Sequence, residues 1–168
     1  KLRANEVITH EDPYVATARI TGGKLYTGQF KNRMILGGFD VVYDCIGSSK
    51  TLQDSLRWAR AGGTVVLAGV NLKPMHVDLT PVWYQEVNLV GLYAHGMEEW
   101  DGHRQSTYDL TADLLLRKKL AVEGLVTHRF PLEEWRTAVR TAKDKRSGAI
   151  KVLLDIAPKS PQRFTRVC

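Results

Sequence analysis

The middle of the chain alternates between continuous apolar runs and a segment with helical spacing. Phe39 to Gly47 and Thr64 to Val70 are apolar runs that end in or beside glycine, a pattern typical of strands buried on both faces of a parallel sheet. Between them, Leu52, Leu56 and Ala59 recur at the spacing of one helix face. The order strand, helix, strand with short joints predicts a parallel crossover.

The boundaries of this helix are also marked in the sequence. Hydroxyl side chains at Ser48, Ser49 and Thr51 predict its start, with Asp54 placed three residues after Thr51 as in a capping box. The glycine pair at 62–63 predicts its end.

A third strand is predicted at Val87 to Ala94, followed by His95 and Gly96. With the two earlier runs it makes three strands of one direction. Ligands of open parallel sheets bind beyond the carboxyl ends of the strands. We therefore expect a binding crevice near residues 45–47, 68–70 and 92–94.

Weaker signals lie upstream of the first run. Arg3 to Thr9 is compatible with a short strand, and Asp12 followed by Pro13 predicts a helix start whose stop is the glycine pair at 22–23. Lys24 to Gly37 mixes aromatic, aliphatic and basic residues, and predicts either a hairpin or a long loop.

Downstream of Gly96 the alternation ends. We predict a helix from Arg104 to Lys119, a second helix beginning at Pro131, and a closing strand at Ala149 to Ile156. The residues beyond Pro158 have no apolar period, and we expect a mobile tail there.

Composition narrows the class of protein. The chain has 168 residues, 25% of them charged and 43% hydrophobic, as expected for a globular domain and not for a disordered chain. Its apolar runs are far shorter than the roughly 20 residues of a membrane-spanning helix. The net charge of +6 gathers in a loop and the tail without interleaved aromatics, which disfavours nucleic-acid binding. The two cysteines indicate a reducing, cytoplasmic setting.

The runs FDVVYDCIG, GGTVVLAGV and VNLVGLYA, followed by LVTHRFPLEEWRTAVRTA and SGAIKVLLD, resemble in order and spacing the carboxyl half of the medium-chain, zinc-type alcohol dehydrogenase superfamily. The resemblance covers almost the whole chain. It implies an α/β fold, namely a partial Rossmann-like, doubly wound and mostly parallel sheet with flanking helices, whose first βαβ half is missing.

The resemblance also implies a domain organisation. Residues 1–98 would form a partial Rossmann domain, 99–157 the C-terminal helices and closing strand, and 158–168 the tail. Members of the family begin with a GroES-like catalytic domain, and a G-x-G-x-x-G turn holds the pyrophosphate; this sequence contains neither. Because RANEVIT resembles the family's third Rossmann strand, FDVVYDCI would become an open edge, through which we expect homo-oligomers.

By matched position, the resemblance implies that the main chain of residues 45–47 lines the adenosine-ribose side of NAD or NADP, 68–70 the nicotinamide ring, and 92–94 the carboxamide. Lys151 matches a basic position that reaches the pyrophosphate in relatives. The implied cofactor-binding residues are Cys45, Ile46, Gly47, Ala68, Gly69, Val70, Leu92, Tyr93, Ala94 and Lys151.

No catalytic residue and no metal ligand can be named from this sequence. The five histidines show no H-E-x-x-H or cysteine-paired zinc spacing, and Tyr43 and Asp44 are interpreted as scaffold. The resemblance implies that zinc lies only in the missing N-terminal catalytic domain.

The expected function is therefore that of an oxidoreductase fragment. In the full-length enzyme, the resemblance implies hydride transfer between an alcohol or polyol and the dinucleotide, with zinc polarising the oxygen; alone, the fragment should be inactive. Two alternatives remain. One is a zinc-free quinone or enoyl reductase of the same superfamily, and the other is a non-enzymatic nucleotide-binding or dimerisation module. Neither a nucleic acid nor a membrane is an expected partner.

Overall fold

A computed structural model describes residues 4–156. Its helices are α1 (Pro13–Thr21), α2 (Ser49–Trp58), α3 (Thr80–Tyr84), α4 (Thr107–Leu116) and α5 (Trp135–Lys143), with 3-10 turns at Gln29–Lys31 and Leu132–Glu134. Its strands are β1 (Lys24–Thr27), β2 (Arg33–Leu36), β3 (Phe39–Asp44), β4 (Ala59–Leu67), β5 (Asn88–Gly91), β6 (Met97–Trp100), β7 (His103–Ser106), β8 (Val126–Pro131) and β9 (Lys151–Asp155). No helix in this part of the chain has the length and apolar character needed to cross a membrane.

The chain divides into two compact units, Lys1–Leu110 and Thr111–Cys168. The described residues of the first unit form three sheets, and those of the second unit form one. The division into domains at 98/99 stays a prediction. The predicted tail at 158–168 lies outside the described residues.

The first unit is built on a parallel sheet of β3, β4 and β5 in that order. Val42 pairs with Val65, and Val66 pairs with Val90. The predicted α/β fold with a parallel crossover is confirmed. Within residues 4–156, β3 pairs only with β4, so the predicted open edge is confirmed for the described part of the chain.

Helix α2 begins as predicted and ends earlier than predicted. Ser48 is its N-cap and exchanges side-chain to main-chain hydrogen bonds with Thr51 in a capping box. The helix ends at Trp58, and Ala59 already pairs with Phe39 at the start of β4. The glycine pair at 62–63 thus lies inside β4, in the irregular stretch between the Phe39–Ala59 and Val41–Thr64 pairs.

The core of the first unit lies between α2 and the sheet. Five apolar residues are buried there together: Leu52 and Leu56 of α2, Ala59 and Val65 of β4, and Val87 directly before β5. Spacing of three to four residues brings the α2 members onto one face, which is the pattern from which the helix was predicted.

The α1 helix and the β1–β2 hairpin are joined to α2 by polar contacts. Asp12 caps α1 through the Tyr14 N–H (2.9 Å) and binds Arg33 of the hairpin by two hydrogen bonds of 2.7 and 2.8 Å. Those Arg33 bonds lower the pKa of Asp12 to about 2. The Tyr14 hydroxyl donates to Asp54 (2.8 Å), and burial, then this carboxylate, raises the pKa of Tyr14. Asp54 therefore links α2 to α1 and does not cap α2.

The segment Lys24 to Gly37 forms a hairpin, since β1 and β2 pair antiparallel. The hairpin alternative is therefore confirmed.

The strand predicted at Arg3 to Thr9 is wrong for residues 4–9, and Arg3 lies outside the described residues. Those residues carry no strand pairing. A strand is stabilised by its neighbours, and in the described part of the chain no strand lies beside this segment. Within the segment, Glu6 instead forms an ion pair with Arg19 of α1.

The helix predicted from Arg104 begins at Thr107. His103–Ser106 pairs antiparallel with Met97–Trp100 as a hairpin. Its turn is Asp101-Gly102, with φ of 50° and 74° at the two residues, as a two-residue hairpin loop requires. Three residues assigned to the helix, Arg104 to Ser106, are therefore strand.

The second unit holds a two-stranded parallel sheet, β8 beside β9, together with α5. Phe130 pairs with Leu154, and Arg129 forms an ion pair with Asp155 at 2.8 Å. The closing strand is confirmed over Lys151–Asp155. The helix predicted from Pro131 begins later in the structure, because Pro131 is the last residue of β8, a strand that the sequence analysis missed. A 3-10 turn at Leu132–Glu134 follows β8 and leads into α5.

Candidate functional site

Three strands of the first unit end together. Asp44 pairs with Leu67, and Leu67 pairs with Gly91. Beyond these pairs the ladder continues from β4 to β5 through Leu92 N–H, which donates to Leu67 O at 3.0 Å. Residues 45–47, 68–70 and 92–94, which follow the three strands, are called the carboxyl edge below. Nine of the ten residues predicted for cofactor binding belong to it.

Asp44 organises this edge. Its side chain is buried, with 4% of the residue exposed, and Oδ1 accepts hydrogen bonds from the main-chain N–H groups of Ile46 and Gly47, both at 3.0 Å. Its main-chain oxygen accepts from Ala68 and Gly69, at 3.0 and 2.8 Å. One residue therefore holds the segments that follow β3 and β4 against each other.

Two glycines permit this close approach. A Cβ on Gly47 would lie 2.7 Å from Gly69 O, and one on Gly69 would lie 2.6 Å from Ile46 N. Gly47 also has φ of 74°, a left-handed conformation that other residues rarely adopt. Glycine is therefore required at both positions for the two main chains to meet.

The residues of the carboxyl edge differ in exposure. Gly47 is buried, and Ala68 and Gly69 are partly buried. The remaining members are exposed: Cys45, Ile46, Val70, Leu92, Tyr93 and Ala94. The edge is consequently a ledge of packed main chain bearing exposed apolar side chains, which can lie against a flat ring and can offer main-chain atoms for hydrogen bonds.

Sequence reasoning missed the role of Asp44, which it interpreted as scaffold. The available signal was an acidic residue as the last member of an apolar strand, two residues before the start of a tight turn. It also missed a row of exposed rings beside the edge. The ring of His95 lies between those of Tyr93 and Tyr108. Its centroid is 5.5 Å from that of Tyr93 and 5.1 Å from that of Tyr108.

Lys151 lies apart in sequence from the other nine. It is the first residue of β9 in the second unit and is exposed. Its role at a pyrophosphate stays a prediction.

The described residues do not fit a zinc ion. Among residues 4–156, no three side chains of His, Cys, Asp or Glu gather as a set of ligands, whereas protein zinc sites use three or four such ligands.

Comparison with known proteins agrees with this geometry. The family model for zinc-binding dehydrogenases matches residues 4–105. The chain is 34% identical to L-idonate 5-dehydrogenase of Vitis vinifera over 120 residues, 71% of this chain and 30% of that protein. It is 34% identical to sorbitol dehydrogenase of Arabidopsis thaliana over 119 residues, 70% of this chain and 30% of that protein.

A solved structure shares the fold. It is that of a protein from Sinorhizobium meliloti 1021 described as a zinc-binding dehydrogenase and bound to NADP, with a TM-score of 0.56 and 24% identity, covering 71% of this chain and 32% of the other. The chain spans about 30% of the length of the curated relatives it matches. By the match over residues 4–105, the chain belongs to the zinc-binding dehydrogenase family, and it corresponds to the carboxyl half of the zinc-type medium-chain superfamily.

Proposed function

We propose that the carboxyl edge binds NAD or NADP, and that the whole protein transfers hydride between an alcohol or polyol carbon and the nicotinamide. The observation that carries the proposal is the meeting of three parallel strand ends, packed main chain against main chain, at the position where open parallel sheets bind ligands. The names of the two relatives, an idonate and a sorbitol dehydrogenase, support a polyol-like substrate.

In this proposal each segment of the edge has its own part. Residues 45–47 meet the adenosine-ribose side, 68–70 lie beside the nicotinamide ring, and 92–94 meet the carboxamide. Exposed apolar side chains such as Val70 and Leu92 exclude water from one face of the ring and fix its orientation. Lys151 is proposed to contact the pyrophosphate. When bound, the dinucleotide supplies the hydride or accepts it.

Binding of the cofactor is expected to depend on the apolar ledge. Val70→Asp places a carboxylate where the ring should lie, and we expect NADH affinity to fall about tenfold or more, because the charge would lose water on binding. Isothermal titration calorimetry of the 168-residue chain with NADH and NADPH measures this.

The matched control is Leu72→Asp. Val70 and Leu72 are 82% and 94% exposed, so neither substitution should alter folding, and Leu72 lies outside the carboxyl edge. Equal loss in both variants, or no binding of either dinucleotide by the unaltered chain, would count against the proposal.

The isolated chain is expected to bind cofactor without turnover. The described residues bring no His, Cys, Asp or Glu group of three together, and we propose that the reaction centre belongs to the remainder of the enzyme. Sorbitol, NAD and zinc added together should give no absorbance at the NADH band. Metal-dependent formation of NADH would contradict this, and metal-independent reduction of a quinone would instead favour the zinc-free reductase.

We also propose that the 168-residue chain, when expressed alone, forms homo-oligomers through the open edge of β3. Strand edges with unpaired main-chain groups act as templates for pairing, and β3 carries the exposed side chains of Val41 and Tyr43. Light scattering should show a dimer or larger species, and Val41→Lys should shift it to monomer, since an edge lysine blocks pairing.

The control for the edge is Leu72→Lys, which adds the same charge elsewhere on the same unit. A monomer at high protein concentration in the unaltered chain would disprove association through β3.

We further propose a cytoplasmic location, supported by cysteine content alone. Cys45 is free and exposed, and Cys168 lies outside the described residues. An exposed free thiol suits a reducing compartment.

A further inference from the structure

Peptide geometry determines what the segment after β3 offers to a ligand. In a trans peptide the N–H of one residue and the C=O of the residue before it point in opposite directions. The N–H groups of Ile46 and Gly47 both point inward to Oδ1 of the buried Asp44, at 3.0 Å. The carbonyl oxygens of Cys45 and Ile46 must therefore point away from Asp44, toward the exposed side of the segment.

The same residue has a matching effect on β4. The N–H groups of Ala68 and Gly69 donate to the main-chain oxygen of Asp44 at 3.0 and 2.8 Å. By the same geometry, the carbonyl group of Ala68 is directed away from Asp44. The two segments of the edge are thus set in one orientation by a single residue.

We propose that Asp44 is a positioning residue for the cofactor, and that it turns the carbonyl oxygens of Cys45 and Ile46 outward to accept hydrogen bonds from ribose hydroxyl groups of the dinucleotide. This inference rests on the proposed function. Carbonyl oxygens are acceptors only. The segment after β3 therefore selects the ribose hydroxyls, and it repels the phosphates.

Both carboxylate oxygens of Asp44 accept hydrogen bonds. While Oδ1 takes the two N–H groups, Oδ2 accepts from the Thr51 hydroxyl in the first turn of α2 at 3.2 Å. The carboxylate is thereby tied to the helix that follows the turn. Because its orientation is held from α2, the outward direction of the two carbonyl groups is set before any ligand arrives, which lowers the entropy lost on binding.

Two substitutions separate positioning from packing. Asp44→Asn keeps the Oδ1 acceptor, whereas Asp44→Leu keeps a similar volume without any acceptor. We expect the asparagine variant to bind NADH within about threefold of the unaltered chain, and the leucine variant to bind at least about tenfold more weakly, ~1.4 kcal/mol. Asp40→Leu, on an exposed carboxylate of the same strand, is the control and should bind normally.

Amide hydrogen exchange supplies the readout that a merely structural role would not move. In Asp44→Leu, exchange should accelerate at Ile46 and Gly47, while amides of the β4–β5 ladder such as Val66 keep their protection. Uniform acceleration with weaker binding would mean general destabilisation, and would overturn the positioning role.

A measurement on the unaltered chain covers the case in which Asp44→Leu does not fold. Titration with NADH should shift the ¹³C carbonyl resonances of Cys45 and Ile46, and titration with inorganic phosphate should not. If NADH binds but these resonances stay in place, or if Asp44→Leu binds as tightly as Asp44→Asn, the inference is wrong and the proposed function stands. If neither NADH nor NADPH binds, the proposed function itself fails.

Discussion

Replacing Gly69 with alanine is expected to destabilise the first unit by about 3 kcal/mol and to abolish measurable dinucleotide binding. A Cβ at this position would overlap the carbonyl carbon of Ile46 and the main-chain nitrogen of Gly47, and would lie 2.6 Å from Ile46 N. These are main-chain atoms, so the overlap can be relieved only by separating the segments that follow β3 and β4. Overpacking of this kind costs about 1–3 kcal/mol, and more where the main chain must move.

The matched control is Gly91→Ala, at the end of the neighbouring strand β5. A Cβ on Gly91 would have nothing within 4 Å, so we expect a change of less than about 0.5 kcal/mol, as at ordinary surface sites. Urea unfolding followed by circular dichroism gives both values, and NADH titration gives the binding result. Similar urea midpoints for the two variants would show that the segments after β3 and β4 do not meet at Gly69.

Replacing Leu56 with alanine is expected to cost about 3 kcal/mol of unfolding free energy, within the range measured for buried leucines. Leu56 has 0% exposure and lies at the centre of the apolar cluster between α2 and the sheet. With Leu52, it is one of two leucines that α2 contributes to that cluster, and its loss is expected to leave a cavity.

The control for this prediction is Leu72→Ala. Leu72 is 94% exposed, so the same truncation should change stability by less than about 0.5 kcal/mol. Equilibrium unfolding in urea compares the two, with the denaturant dependence of the free energy checked for constancy. A loss of 1 kcal/mol or less for Leu56→Ala would mean that the core lies elsewhere.

The part of the fold that the sequence predicted well is the β3–α2–β4–β5 series. Its strands are apolar on both faces and its helix has one apolar face, so side-chain period alone distinguishes the two. The parallel arrangement followed from the short joints, since a strand, a helix and a strand joined this way return in the same direction. Local signals and tertiary contacts agree on the order and direction of this series. They disagree on burial, because Val41, Tyr43 and all four residues of β5 are exposed, and the strands are therefore not buried on both faces as predicted.

Predictions failed where a strand depended on a distant partner. β8 needs β9, which lies more than 20 residues further along the chain, and its polar sequence shows no strand period. The hairpin of β6 and β7 did carry a local signal, the Asp101-Gly102 turn, which the sequence analysis missed. RANEVIT ends in three residues that favour strands, Val7 to Thr9, yet residues 4–9 do not pair.

The candidate site divides in the same way. The sequence by itself determined that three strands end at one edge of a sheet, and that glycines follow two of them, because these features depend on residues next to one another in the chain. Only the tertiary structure decided that Asp44 receives the N–H groups of Ala68 and Gly69, and that Gly47 and Gly69 meet. Those contacts join residues more than 20 positions apart, and their geometry is set by packing of two strands that no local pattern records.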